Sequence, residues 1–192
     1  LSKITDWSDR KTCILFGDGA GAVVIKKDEN AIFETVMFSN GKNGDALTME
    51  NPFALRKTNL GKNHQGQFDI SFQDVHKTYI NMDGGEIFKF AVKKVPECIE
   101  ALLEKIHMDK SEIDKYLLHQ ANSRIIEGIA KRSKIPLKKI PLNIEDYGNV
   151  SSACLPMLLD KLNGLDEIKA GDKIIMAGFG AGLSYGATYL EF

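Results

Sequence analysis

Long apolar runs are missing from these 192 residues. None approaches the ~20 residues that a membrane-spanning helix needs. Charge of one sign is missing too: 25 Lys and Arg stand against 26 Asp and Glu, a net charge of −1. That balance gives no electrostatic reason to expect a nucleic acid or an anionic membrane as partner. Cysteine is scarce, and Cys13, Cys98 and Cys154 are odd in number and widely spaced. A disulfide framework or thiolate metal site is thereby disfavoured, and a reduced, cytoplasmic setting is the expectation. Each cysteine sits among apolar residues, where a free thiol behaves as a small buried hydrophobe. His64, His76 and His107 have no second ligand at metal spacing, so no metal site is expected. The start carries no signal-peptide pattern and no initiator methionine, as in a processed chain or a piece of a longer one. No internal repeat and no low-complexity segment stands out.

What is present alternates strand-like and helix-like segments, the pattern of an α/β protein. Residues 12–16 and 22–25 read as buried strands rich in β-branched and apolar side chains. Between them, Gly17-Asp18-Gly19-Ala20-Gly21 invites a phosphate-loop reading, but such a loop must open a helix. A tight strand-to-strand connection or close backbone packing explains these glycines better. Residues 31–38 suggest another strand, residues 39–44 a loop, and residues 50–68 an exposed polar excursion. Residues 86–106 carry the clearest helical periodicity, with Pro96 predicting a bend or two helices meeting there. A strand over residues 116–119 leads to a helix over residues 124–133, for which Ser123 is the predicted cap. A short strand at 140–143, an apolar helix at 151–162 interrupted by Pro156, and strands at 173–177 and 183–191 complete the chain. The last two flank a glycine turn at residues 178–182.

Two places carry candidate chemistry. His119 opens His119-Gln120-Ala121-Asn122 at the end of an apolar strand. It reads either as an acid, base or hydrogen-bond donor, or as a histidine satisfied inside the core. Asn149, in Tyr147-Gly148-Asn149-Val150-Ser151-Ser152, reads in isolation as a cap for the helix that follows.

Together these motifs resemble the β-ketoacyl-acyl carrier protein synthase III family of condensing enzymes. The resemblance includes Asp6-Trp7-Ser8-Asp9-Arg10-Lys11-Thr12 and Leu15-Phe16-Gly17-Asp18-Gly19-Ala20-Gly21-Ala22. It continues through Asn81-Met82-Asp83-Gly84-Gly85-Glu86-Ile87-Phe88-Lys89-Phe90-Ala91-Val92, His119 to Asn122, Gly148 to Ser151, and Phe179-Gly180-Ala181-Gly182. In this order and spacing the set is specific. No cysteine lies in the context of the family's nucleophile, so the chain looks like the carboxyl-terminal half of such an enzyme.

The resemblance implies a thiolase-like α/β fold, here the carboxyl-terminal half of a layered αβαβα arrangement with a mixed sheet. Residues 1–30 would end the amino-terminal half and supply crossover strands, and residues 31–192 would form the carboxyl-terminal domain. It implies a 3-oxoacyl-[acyl carrier protein] synthase III that starts fatty acid chains by decarboxylative condensation. Acyl-CoA and malonyl-acyl carrier protein would be substrates, with no cofactor. His119 and Asn149 would donate hydrogen bonds to the malonyl thioester oxygen. The backbone amide of Ala181 would join the acyl-enzyme oxyanion hole, provided that position does not require positive φ. Ala121, Asn122, Asn40, Gly41 and Phe179 would contact substrate, and Arg124, Lys131 and Arg132 would receive the acidic carrier protein. The isolated chain would be inactive without its amino-terminal half, and the complete enzyme would be a homodimer. Two other readings stand beside this one: a condensing enzyme of specialised metabolism, and a non-catalytic half that binds pantetheine or carrier protein.

Overall fold

The computed structural model describes residues 1–26, 28–29, 31–49 and 79–192. The polar excursion expected at 50–68, with His64 and His76, lies outside the described residues. Asp9 accepts the backbone N–H of Lys11 and opens a single helical turn, α1 (Arg10–Cys13). The capping carboxylate thus overrides the β-branched content that predicts a strand at 12–16. Among the described residues, Phe16 alone of these makes a strand-like pairing, a parallel bridge to Asn149. Residues 22–25 join no ladder either, and Val24 is 99% exposed. Extended propensity makes a strand only where another backbone supplies the hydrogen bonds, and no described residue pairs with this segment.

The regular framework begins at β1 (Phe33–Ser39). A 3-10 turn over Gly41–Ala46 replaces the expected loop and leads to the two-residue strand β2 (Leu47–Thr48). β2 pairs antiparallel with β3 (Asn81–Met82). Helix α2 (Gly84–Ile106) is capped by the Asp83 side chain and runs 23 residues as one helix, with Pro96 inside it. β4 (Lys115–Leu118) and α3 (Ser123–Ser133) follow. The α3 cap is Asn122, whose side chain accepts the Arg124 N–H, rather than the predicted Ser123. The strand expected at 140–143 is absent: Pro141 has no N–H to donate, and the Asn143 N–H goes to the Gln120 side chain. After α4 (Ile144–Tyr147) and a 3-10 turn comes α5 (Cys154–Gly164). Pro156 falls in its first turn, where an amide has no intrahelical partner to lose. β5 (Lys173–Gly180) and β6 (Ser184–Glu191) end the chain as a hairpin.

Among the described residues, four strands form one mixed sheet in the order β1-β6-β5-β4, with β4 and β5 parallel and the other pairs antiparallel. Alternation along the strands divides the core between its two faces. Tyr116, Leu118, Ile175, Ala177, Ala187 and Tyr189 face α2 and α3, meeting Ile99, Leu102, Ile126 and Ile129. Leu117, Ile174, Met176 and Leu190 face the other way, onto Leu158 and Leu162 of α5. Helices therefore cover both sides, in three layers. Each fully buried aliphatic side chain contributes roughly 1.5–3 kcal/mol, and this holds the parallel pair β4–β5 rigidly between helix layers. The carboxyl ends of those two strands carry the residues that follow.

Candidate active site

His119 sits one residue past β4, with its N–H donating to the Ala177 carbonyl at 2.8 Å and extending the parallel ladder. Its backbone is therefore fixed by the sheet. Its ring meets the Phe179 ring edge-on, with centroids 5.2 Å apart at 75°. Nδ1 lies 3.0 Å from Sγ of Cys154, the first residue of α5. Loss of water around the ring pulls the His119 pKa down to about 4, because burial disfavours the charged form. At neutral pH this is an uncharged imidazole with one N–H to donate.

Asn149 is held by main chain on both sides. Its N–H donates to the Leu15 carbonyl at 2.8 Å, and its own carbonyl accepts the Gly17 N–H at 3.0 Å. Its side-chain oxygen accepts the Ser151 N–H at 3.0 Å. Asn149 does not cap the helix that follows: the N-cap positions are Val150 for the 3-10 turn and Ala153 for α5, neither with a side-chain cap. Its amide oxygen is tied within the turn before α5, while Nδ2 keeps its two hydrogens without a partner among the described residues. The glycines at 17, 19 and 21 explain how the first segment comes so close. A Cβ at Gly17 would lie 2.1 Å from the Tyr147 carbonyl oxygen, one at Gly19 2.7 Å from Met157 Sδ, and one at Gly21 2.5 Å from Pro156. Alternate residues of an extended segment share a face, and this face lies against the stretch from the end of α4 to the start of α5. Close backbone packing, not a strand-to-strand turn, is the role of the glycine run.

The β5–β6 turn brings two further expectations together. Asn40 and Leu183 exchange backbone hydrogen bonds of 2.7 and 3.2 Å, which ties the Asn40–Gly41 corner to the end of the β5–β6 turn. Gly182 takes the positive φ of the turn, at 136°, and Ala181 is not among the positive-φ residues. Alanine is therefore accommodated, and its N–H has no hydrogen-bond partner among the described residues. Phe179 serves the site by contacting the His119 ring.

Other expected site residues sit differently. Ala121 is 9% exposed and belongs to the main core. Asn122 is half-buried, with its side-chain oxygen committed to capping α3. Arg124, Lys131 and Arg132 project from the solvent face of α3 and make no ion pair among the described residues. Among the described residues, no group of three or more His, Cys, Asp or Glu is placed to hold a metal ion. No described helix is long and apolar enough to cross a membrane.

Sequence reasoning missed two participants. Gln120 is fully buried, donates to the Leu118 and Pro141 carbonyls and accepts the Asn143 N–H, which locks the chain immediately after His119. Cys154 touches His119 itself. Gln120 was legible as a polar residue inside the His-Gln-Ala-Asn motif. No local signal gives the Cys154 contact, which spans 35 residues.

Comparison with known proteins places these features in context. A family model described as 3-oxoacyl-[acyl-carrier-protein (ACP)] synthase III C terminal matches residues 103–192. The model described as 3-oxoacyl-[acyl-carrier-protein (ACP)] synthase III matches residues 1–41. A beta-ketoacyl-[acyl-carrier-protein] synthase III of Prochlorococcus marinus is 43% identical over 191 residues, covering 98% of this chain and 54% of its own length. The crystal structure of 3-oxoacyl-[acyl-carrier-protein] synthase III from Aquifex aeolicus superposes with a TM-score of 0.81 at 36% identity, over all of this chain and 55% of that one. The priming beta-ketosynthase of the R1128 polyketide pathway gives 0.79 at 28% identity, over all of this chain and 54% of that one. The chain spans about half the length of the curated relatives it matches.

Proposed function

Because the chain belongs to the 3-oxoacyl-[acyl-carrier-protein] synthase III family, with a thiolase-like fold, we propose that the whole protein condenses an acyl-CoA primer with malonyl-acyl carrier protein. In this reading, a cysteine of an amino-terminal half takes the acyl group from coenzyme A. The malonyl C–C bond then breaks, carbon dioxide leaves, and the electron pair moves toward the thioester oxygen. His119 Nε2–H and Asn149 Nδ2–H donate to that oxygen where the charge builds. The resulting carbanion attacks the acyl-cysteine carbonyl, whose oxyanion takes the Ala181 N–H. Collapse returns the thiolate and gives a 3-oxoacyl thioester on the carrier.

The observation that carries this reading is an uncharged imidazole held at Cys154, the first residue of α5, and an amide whose oxygen is tied into the turn just before α5, each with an N–H to donate. The Asn40–Gly41 corner and Phe179 contact the substrate arm beside them. The cations Arg124, Lys131 and Arg132 on α3 receive the acidic carrier. No cofactor enters the chemistry, and the setting is cytoplasmic. Residues 1–30 end the amino-terminal half, the rest of which covers them. Trp7, Ile14, Val23, Val24 and Ile25, all more than half exposed, support a cover of that kind. Burial pushes the Cys98 thiol up to about 11 and also raises Cys154. Neither of these two is a poised nucleophile, which supports an acyl-accepting cysteine supplied by the amino-terminal half. The likeness to a polyketide priming synthase supports a second reading, in which the same condensation starts a specialised metabolite; the chain length of the product distinguishes the two.

The test uses the complete protein. His119→Ala is expected to lower malonyl-thioester decarboxylation by ~10²–10³, as for loss of a preorganised donor, while cysteine self-acylation stays within a few-fold. Equal loss of both activities would count against the assignment.

A further inference from the structure

Cys154 is buried, at 1% exposure, yet its sulfur has two polar neighbours. It lies 3.0 Å from His119 Nδ1 and accepts the Gln120 backbone N–H at 3.5 Å. Burial raises its pKa, so the sulfur keeps its proton. A thiol whose sulfur already accepts an amide hydrogen still has an S–H to place, and Nδ1 is the acceptor within reach. Imidazole nitrogen is also a better acceptor than thiol sulfur.

The two ways of sharing that proton have opposite consequences. If Nδ1 carried the hydrogen and gave it to sulfur, Nε2 would be a bare lone pair, unable to stabilise a developing enolate oxygen. If sulfur donates, Nδ1 is the acceptor and Nε2 carries the hydrogen. Sheet and packing leave little freedom to escape this choice. The His119 backbone is pinned to Ala177, its ring rests on Phe179, and Gln120 fixes the next residue through Leu118, Pro141 and Asn143.

We infer that Cys154 is a positioning residue: its S–H donates to His119 Nδ1 and holds the imidazole as the Nε2–H tautomer that the condensation needs. The cysteine reacts with nothing; it acts through the histidine. The inference rests on the synthase reading for its consequence in catalysis, but the tautomer itself does not depend on that reading.

The experiment is a long-range ¹H–¹⁵N correlation on the complete protein with ¹⁵N-histidine, paired with malonyl-thioester decarboxylation. The native protein should show Nδ1 of His119 unprotonated and Nε2 protonated. Cys154→Val keeps a side chain of similar size without a donor. It should lose that preference and slow decarboxylation by about 10- to 100-fold, the scale on which removing the hydrogen-bond partner behind a metal-bound histidine acts. Cys154→Ser restores a donor and should recover both. A native Nδ1–H tautomer would overturn the inference, as would a Val variant that keeps both the Nε2–H signal and the native rate. If His119→Ala leaves decarboxylation intact while Cys154→Val still shifts the tautomer, the positioning stands and the synthase reading falls.

Discussion

Gly17→Ala is a one-carbon change far in sequence from Asn149, and it should disable that residue. The new Cβ would sit 2.1 Å from the Tyr147 carbonyl oxygen, whereas ordinary contact begins near 3.4 Å. Roughly 1.3 Å must therefore be opened between two backbones that cannot rotate aside as a side chain can. Two hydrogen bonds join them, Gly17 N–H to Asn149 at 3.0 Å and Asn149 N–H to Leu15 at 2.8 Å. An added ångström takes both past hydrogen-bonding distance. Overpacking of this kind costs about 1–3 kcal/mol of stability. A displacement near 1 Å at a catalytic group costs about 10²-fold in rate. The assay is malonyl-thioester decarboxylation by the complete protein, with self-acylation measured alongside to show that the fold persists. Gly164→Ala, where nothing lies within 4 Å of the added carbon, is the matched control and should leave both activities unchanged. A Gly17→Ala protein that decarboxylates within twofold of native would refute the backbone clamp as the device that positions Asn149.

Three further outcomes follow from the same geometry. An NMR titration of His119 should give a pKa near 4, well below the ordinary 6.5; a midpoint at 6 or above contradicts the buried, neutral ring. Since the unfolded chain takes up this proton first, folding stability should fall as pH drops from about 6.5 towards 4, with the loss complete below the folded value. Asn122→Ala should lower stability by about 0.5–2 kcal/mol through loss of the α3 cap, while Ser123→Ala is nearly neutral in thermal melts; the reverse order would restore Ser123 as the cap. Reversing Arg124 and Lys131 to glutamate should raise KM for carrier-bound malonate and weaken its salt dependence while leaving KM for a malonyl-CoA surrogate unchanged, and equal effects on both would remove α3 from docking.

The hairpin β5–β6, the strand β4 and the long helix α2 were legible because their apolar residues repeat at the periods of the elements they form. Pro96 allowed a bent helix or two helices meeting there, and α2 runs as one helix across it. Residues 12–16 misled: their apolar content suggested a strand, but Asp9 caps a helical turn there, and that aspartate was visible in the sequence. Residues 22–25 have strand composition and no partner among the described residues, a property of other parts of a sheet that local sequence does not encode. In the candidate site, His119 and Asn149 stood out in the sequence as motifs. Their anchoring did not, because it depends on contacts with Leu15, Gly17 and Cys154 that only the folded chain brings close.

The central claim is that His119 and Asn149 jointly receive the charge released by decarboxylation. A crystal structure of the complete protein with a non-hydrolysable malonyl-thioester analogue tests it most directly. The account predicts the analogue's thioester oxygen within hydrogen-bonding distance, about 2.7–3.2 Å, of both His119 Nε2 and Asn149 Nδ2, with His119 Nδ1 still on the Cys154 sulfur. An analogue oxygen held by other groups, or a His119 ring turned to present Nδ1, would contradict it.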